Sequence, residues 1–158
     1  MIVYFLGSNI PLQGISTIVE AQKMLESEKD IEWQIYTGKP WIHFDEHVVR
    51  MRKADIVLGI FGVTRKTQMV IPNKVYEGLA VGKPVITADT PAIRELLADR
   101  ENVLLCEAGD PHGLADKIRE LRDNLLLREQ IGKRGHEFFR SELTPVKIVS
   151  SLIVNLSR

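Results

Sequence analysis

Residues 54–61, ADIVLGIF, are almost wholly apolar; residues 62–68, GVTRKTQ, turn polar; residues 73–81, NKVYEGLAV, carry a helical pattern; and residues 83–88, KPVITA, are short and β-branched. A buried strand, a helix closed by Gly82 in the role of a C′ glycine, and a second buried strand form one crossover unit. Neighbouring strands joined by a helix must run parallel, and strands that are apolar throughout need helices on both faces. The unit repeats on either side. Upstream, Met1–Leu6 is an apolar run ended by Gly7, Ile15, Ile18, Val19 and Leu25 follow at helical spacing, and residues 31–37 alternate Ile31, Trp33 and Ile35 with polar neighbours. Downstream, Thr90-Pro91 opens a helix with Ile93, Leu96 and Leu97, and residues 102–106 make a strand. Asp110-Pro111 opens a helix with Leu114, Ile118, Leu121 and Leu125 on one face. Two helices end the chain, one over residues 127–139 and one after Thr144-Pro145, with Ile148, Val149, Leu152, Ile153 and Leu156 as its inward stripe. The expected architecture is α/β: a three-layer α/β/α, Rossmann-like, doubly wound parallel sheet.

The 158 residues fit one domain spanning 1–158, with no repeat or linker to divide it. Hydrophobic residues at 44% and charged residues at 27% are globular values. Twenty-one basic residues balance twenty-one acidic ones, so no excess charge favours a nucleic acid partner. No apolar run approaches the roughly 20 residues of a membrane span, and no basic leader precedes the first strand. The single cysteine, Cys106, fits a reducing compartment, and a cytoplasmic location is expected.

In a doubly wound sheet ligands sit at the carboxyl ends of the strands, which directs attention to residues 7–14, 38–39, 62–74 and 88–91. There Pro72-Asn73-Lys74 starts a helix whose first amides attract anions. Lys74 and Glu77, three apart, project from one side: a lysine for phosphate and a carboxylate for sugar hydroxyls, or a solvated ion pair. Spacing leaves both open. Arg65 and Lys66 are either further cations for the site or a solvated loop.

Other motifs lead nowhere. His43-Phe44-Asp45-Glu46-His47 fits H-x-x-E-H, but Pro40-Trp41-Ile42-His43-Phe44 reads as extended rather than helical and no third zinc ligand is marked. Gly78 to Gly82 has the wrong spacing for a P-loop, and no G-x-G-x-x-G follows the first strand. Cys106 reads as core rather than nucleophile, and Trp33 and Trp41 as packing residues.

Residues 54–97, with ADIVLGIFG and VIPNKVYEGLAVGKPVITADTPAIRELL, then ENVLL, AGDPHGLADKIREL and LREQIGKRG in order, resemble the C-terminal, nucleotide-sugar-binding half of retaining family 4 glycosyltransferases of the GT-B fold. The resemblance implies transfer of a sugar from a nucleoside diphosphate without an essential metal. It places Pro72, the Asn73 amide and Lys74 on the diphosphate, Glu77 on the ribose, and Gly7, Gln13 and Gly14 on the opposite wall. It also implies a partner: an N-terminal acceptor half, as a domain or a subunit, towards which the last helix would run. Self-association through that helix and a peripheral membrane position within the full enzyme are further expectations. The chain departs from the family where Met69 replaces a glutamate eight positions before Glu77, where Ser8 and Gln13 replace first-loop cations, and where residues 38–47 fall short of the usual strand, helix and strand. The alternative reading is a non-catalytic interaction or nucleotide-binding module of the same fold. A receiver-like signalling domain needs acidic residues after the first strand, and Gly7-Ser8-Asn9 supplies none.

Overall fold

The computed structural model describes residues 1–38 and 42–156, with side chains as far as residue 150; Lys39, Pro40 and Trp41, with the side chains of Leu152, Ile153 and Leu156, lie outside the described residues. Strands and α-helices alternate as far as β5 and three helices follow: β1 (Ile2–Gly7), α1 (Ile15–Met24), β2 (Glu32–Thr37), α2 (Phe44–Lys53), β3 (Ile56–Leu58), α3 (Asn73–Ala80), β4 (Val85–Ala88), α4 (Pro91–Arg94), β5 (Leu104–Cys106), α5 (Pro111–Asp123), α6 (Leu125–Glu142) and α7 (Pro145–Leu156). The strands form one parallel sheet in the order β2-β1-β3-β4-β5.

Strand periodicity sorts the core into two layers. Val3, Phe5, Ile56, Leu58, Ile86, Ala88, Leu104 and Cys106 meet α1 and α5, while Tyr4, Val57, Val85, Val103 and Leu105 meet α2, α3 and α4 on the other face. The three-layer expectation holds. Caps fall where the sequence puts them: Thr90 accepts from the Ile93 amide at 3.2 Å, Asp110 from the His112 amide at 2.9 Å, and Gly82 has φ 73° after α3.

Four readings need correction. Strand β3 is only Ile56–Leu58; the Gly59 amide still donates to Ile86 O at 2.8 Å and Ile60 O accepts from the Ala88 amide at 3.0 Å, and the Phe61 amide then leaves the sheet to donate to Gln13 O at 3.1 Å. Helix α6 starts at Leu125 under an Asn124 cap, so Leu125 is exposed instead of lying on the buried face of α5. Helix α2 was not anticipated. Only His47 and Met51 of it are buried, too few for a periodic apolar signal, although acids in its first turn and bases in its last match the helix dipole. On α7, Ile148 and Val149 of the stripe are exposed, as is Val146 outside it, so this part of the stripe is uncovered. Among the described residues no helix is long and apolar enough to cross a membrane.

Candidate functional site

The chain leaves β1 for β2 through α1 on one face and returns to β3 through α2 on the other, so the winding reverses between β1 and β3. Such a reversal opens a crevice at the carboxyl ends of those strands. Three loops wall it. The Phe61 amide bonds Gln13 O at 3.1 Å and the Gly109 amide bonds Phe61 O at 2.9 Å, which ties the segments after β1, β3 and β5 together. Gly14, at φ 66°, lies so close to the Phe61 and Gly62 backbone that a β-carbon has no room there. Pro11, Gly14, Phe61, Gly62, Val63 and Gly109 line a groove along this seam.

Lys74 enters the crevice from the first turn of α3. Its Nζ donates to Gln13 Oε1 at 2.5 Å and lies 4.0 Å from the centre of the Phe5 ring. Gly7 makes room for this: a β-carbon there would fall 2.7–2.8 Å from Phe5 Cζ, Gln13 Oε1 and Lys74 Nζ. Burial pulls the Lys74 ammonium down to about 7, against the opposing pull of Glu77. A desolvated amine held by one neutral acceptor is a cation site short of its anion.

Glu77 turns the other way. Its Oε2 lies 3.2 Å from His47 Nε2, and His47 Nδ1 lies 2.8 Å from the Tyr4 hydroxyl. No ion pair joins Lys74 to Glu77 among the described residues, so the solvated-pair alternative gives way to two separate networks. Pro72 stands at the N-cap position, Asn73 is exposed at the first turn, and no side chain caps the helix. The first amides of α3 thus face the same edge as Lys74.

Arg65 and Lys66 are exposed on the loop before Thr67–Met69. Thr64 braces that loop: its Oγ1 is 2.9 Å from Thr67 Oγ1 and accepts from the Thr67 amide at 3.2 Å. Met69 is 66% exposed. The H-x-x-E-H stretch spans the start of α2, with His43 exposed and His47 buried. Among the described residues no three His, Cys, Asp or Glu side chains gather as a metal site. Cys106 is buried and its thiol is pushed up to about 12 by that burial, which suits a core residue.

Lys74, Glu77, Gly7, Gln13 and Gly14, singled out in the sequence, come together at this edge, but their pairings were not legible there. His47 and Tyr4 stand 30 and 43 residues from their partners, beyond any local pattern.

The glycosyl transferase-like family matches residues 16–153. An uncharacterised glycosyltransferase of Methanocaldococcus jannaschii is 30% identical over 149 residues, 85% of this chain and 42% of that protein. The C-terminal domain of a group 1 glycosyl transferase, LpcC of Francisella tularensis, has the same fold at TM-score 0.75 and 20% identity, over 91% of this chain and 86% of that one. HepE of Anabaena, solved in complex with UDP, gives 0.75 at 16% identity over 99% of this chain and 48% of that one. The chain spans less than half the length of the archaeal relative.

Proposed function

Since the chain belongs to the glycosyl transferase-like family and has the fold of a GT-B C-terminal half, we propose that it is the donor-binding half of a retaining, family 4-type enzyme. Residues 1–158 act as one donor domain, and a nucleoside diphosphate sugar binds at the carboxyl edge between β1 and β3. An N-terminal half, as a domain or a subunit, brings the acceptor. The observation that carries this reading is the start of α3, where a desolvated Lys74 and an outward carboxylate on Glu77 flank free helix amides.

In the proposed mechanism Lys74 exchanges Gln13 for a diphosphate oxygen, and the Asn73 amide donates to the same group. Together they offset the charge that grows on the diphosphate as the sugar leaves. Glu77 accepts from the ribose hydroxyls and fixes the nucleoside. Gly7, Gln13 and Gly14 form the opposite wall. Arg65 and Lys66 add long-range attraction from the rim. These groups are cationic or amide donors, so the diphosphate is held without an essential metal. The compartment is cytoplasmic, at a membrane surface where the full enzyme requires it.

Met69, Ser8 and Gln13, standing where the resembling family has charged residues, favour a second reading as a non-catalytic nucleotide or interaction module. Calorimetric titration with UDP, GDP and ADP separates the two. The donor-half reading expects at least one binder in the micromolar to millimolar range, about 4–8 kcal/mol. Saturation by none of the three at millimolar concentration overturns it. Transfer assays sharpen the point: the chain alone should turn over no donor, and addition of an N-terminal half should restore transfer.

A further inference from the structure

Glu77 is held in place by the other end of a buried polar chain. His47 is 6% exposed and Tyr4 is fully buried, whereas the Glu77 side chain is 37% exposed, so the chain runs from the core to the edge of the site. With a neutral imidazole its hydrogen bonds have one consistent direction. Tyr4 keeps its proton, since burial pushes its hydroxyl up to about 12. Its O–H donates to His47 Nδ1 at 2.8 Å, which leaves the ring proton on Nε2 to donate to Glu77 Oε2 at 3.2 Å. The opposite tautomer would set an imidazole lone pair against a carboxylate. The neighbours of this chain come from β2 and α2. Tyr36 of β2 lies 6.0 Å from the Tyr4 ring, Arg50 of α2 lies over the Tyr36 ring at 4.8 Å, and Phe44 of α2 lies 6.4 Å from the His47 ring.

A helix whose only other buried residue is Met51 is thus committed to burying an imidazole with both nitrogens occupied. A leucine at this position would satisfy neither the Tyr4 hydroxyl nor the Glu77 carboxylate. The second Glu77 oxygen, Oε1, has no hydrogen-bond partner among the described residues. We propose that His47, anchored by Tyr4, is a positioning residue for Glu77: it fixes one carboxylate oxygen so that the other faces the ribose, and so sets the preference for ribonucleotides over 2′-deoxyribonucleotides. This inference rests on the reading of Glu77 as the ribose contact.

The test is calorimetry on the 158-residue chain with UDP, GDP and ADP, each beside its 2′-deoxy form, in the wild type, Glu77→Gln, His47→Leu, His47→Gln and Tyr4→Phe. The wild type should prefer a ribose form by about tenfold, the ratio one charge-assisted hydrogen bond can supply. In His47→Leu the ratio should fall below about threefold while affinity for the deoxy form moves by less than about twofold. A glutamine amide can occupy the place of Nε2, so His47→Gln should regain most of the preference. A folded His47→Leu protein with the wild-type ratio overturns the proposal and leaves the ribose role of Glu77 standing, provided Glu77→Gln abolishes the ratio. No ribose preference in the wild type, or no nucleotide binding at all, overturns the Glu77 reading and this proposal with it. Should the leucine variant not fold, Tyr4→Phe decides: a ratio reduced about threefold supports the proposal, and an unchanged ratio overturns it.

Discussion

Lys74 and Glu77 lean on side chains from other elements, whereas Arg65 and Lys66, a few residues earlier in the same crossover, extend into water with no side-chain partner among the described residues. The four share one edge of the sheet and differ in cost. Lys74 gives up solvent and receives one neutral oxygen and a ring face, so its charge is most valuable when an anion arrives. Arg65 and Lys66 give up nothing on folding, and solvent and salt screen whatever they attract. A site is thus distinguished from a merely basic rim by what its charged groups lose before the ligand binds.

The largest test of this contrast is removal of the desolvated amine. Lys74→Ala should weaken a nucleoside diphosphate by about 10- to 100-fold, the range of a charge-assisted hydrogen bond, and a monophosphate by less. Calorimetry reads both losses, and equal losses for the two ligands would detach Lys74 from the diphosphate. Glu77→Gln comes next. It should cost a ribonucleotide about tenfold and inorganic pyrophosphate much less, because the proposed sugar contact is lost while the Lys74 amine stays in place. If neither change alters affinity, residues 72–77 do not form the site.

The parallel sheet was legible because its strands carry their own signal, the short apolar runs around Val3, Val57, Ile86 and Leu104, and Thr90, Gly82 and Asp110 punctuate the helices between them. Helix α2 was not, since its buried residues are only His47 and Met51 and its other side chains are polar or exposed. The same asymmetry runs through the site. Lys74 and Glu77 stood out through a helix start and a family resemblance, but their partners could not, because Gln13 is 61 residues from Lys74 and His47 is 30 from Glu77. The H-x-x-E-H motif did point to His47, with the wrong chemistry attached. Isolation of a motif says that a residue is unusual, and only the fold says what it meets.

A smaller effect follows from pH. Lys74 has its pKa pulled from 10.5 to about 7 in the folded chain, so above pH 7 the free site is mostly neutral and must take up a proton to bind a diphosphate. Affinity should therefore fall about fivefold between pH 7 and pH 8, and calorimetry in buffers of different ionisation enthalpy should register proton uptake. Stability runs the opposite way. The unfolded chain holds the Lys74 proton up to 10.5 and the folded one releases it near 7, so this group makes the fold more stable as pH rises from about 7 to 10.5. Lys74→Gln should flatten both trends, and a binding curve still falling in that variant would assign the titration to another group.

The smallest effect belongs to the rim. Arg65→Ala and Lys66→Ala should each change nucleotide affinity by less than about threefold, in keeping with exposed charges whose attraction is screened within roughly 10 Å at 0.1 M salt. What they do contribute is long-range, so the double variant should lose most at low ionic strength and nothing measurable near 1 M salt, where the screening length shrinks to about 3 Å. Lys74→Ala should keep its deficit across the same series, because the contact proposed for Lys74 would be made at hydrogen-bond distance, where the amine already lies beside Gln13 and the Phe5 ring. Parallel salt dependence in the two variants would mean that Lys74, like the rim, acts from a distance. It would erase the difference between a charge that is desolvated and one that is only nearby.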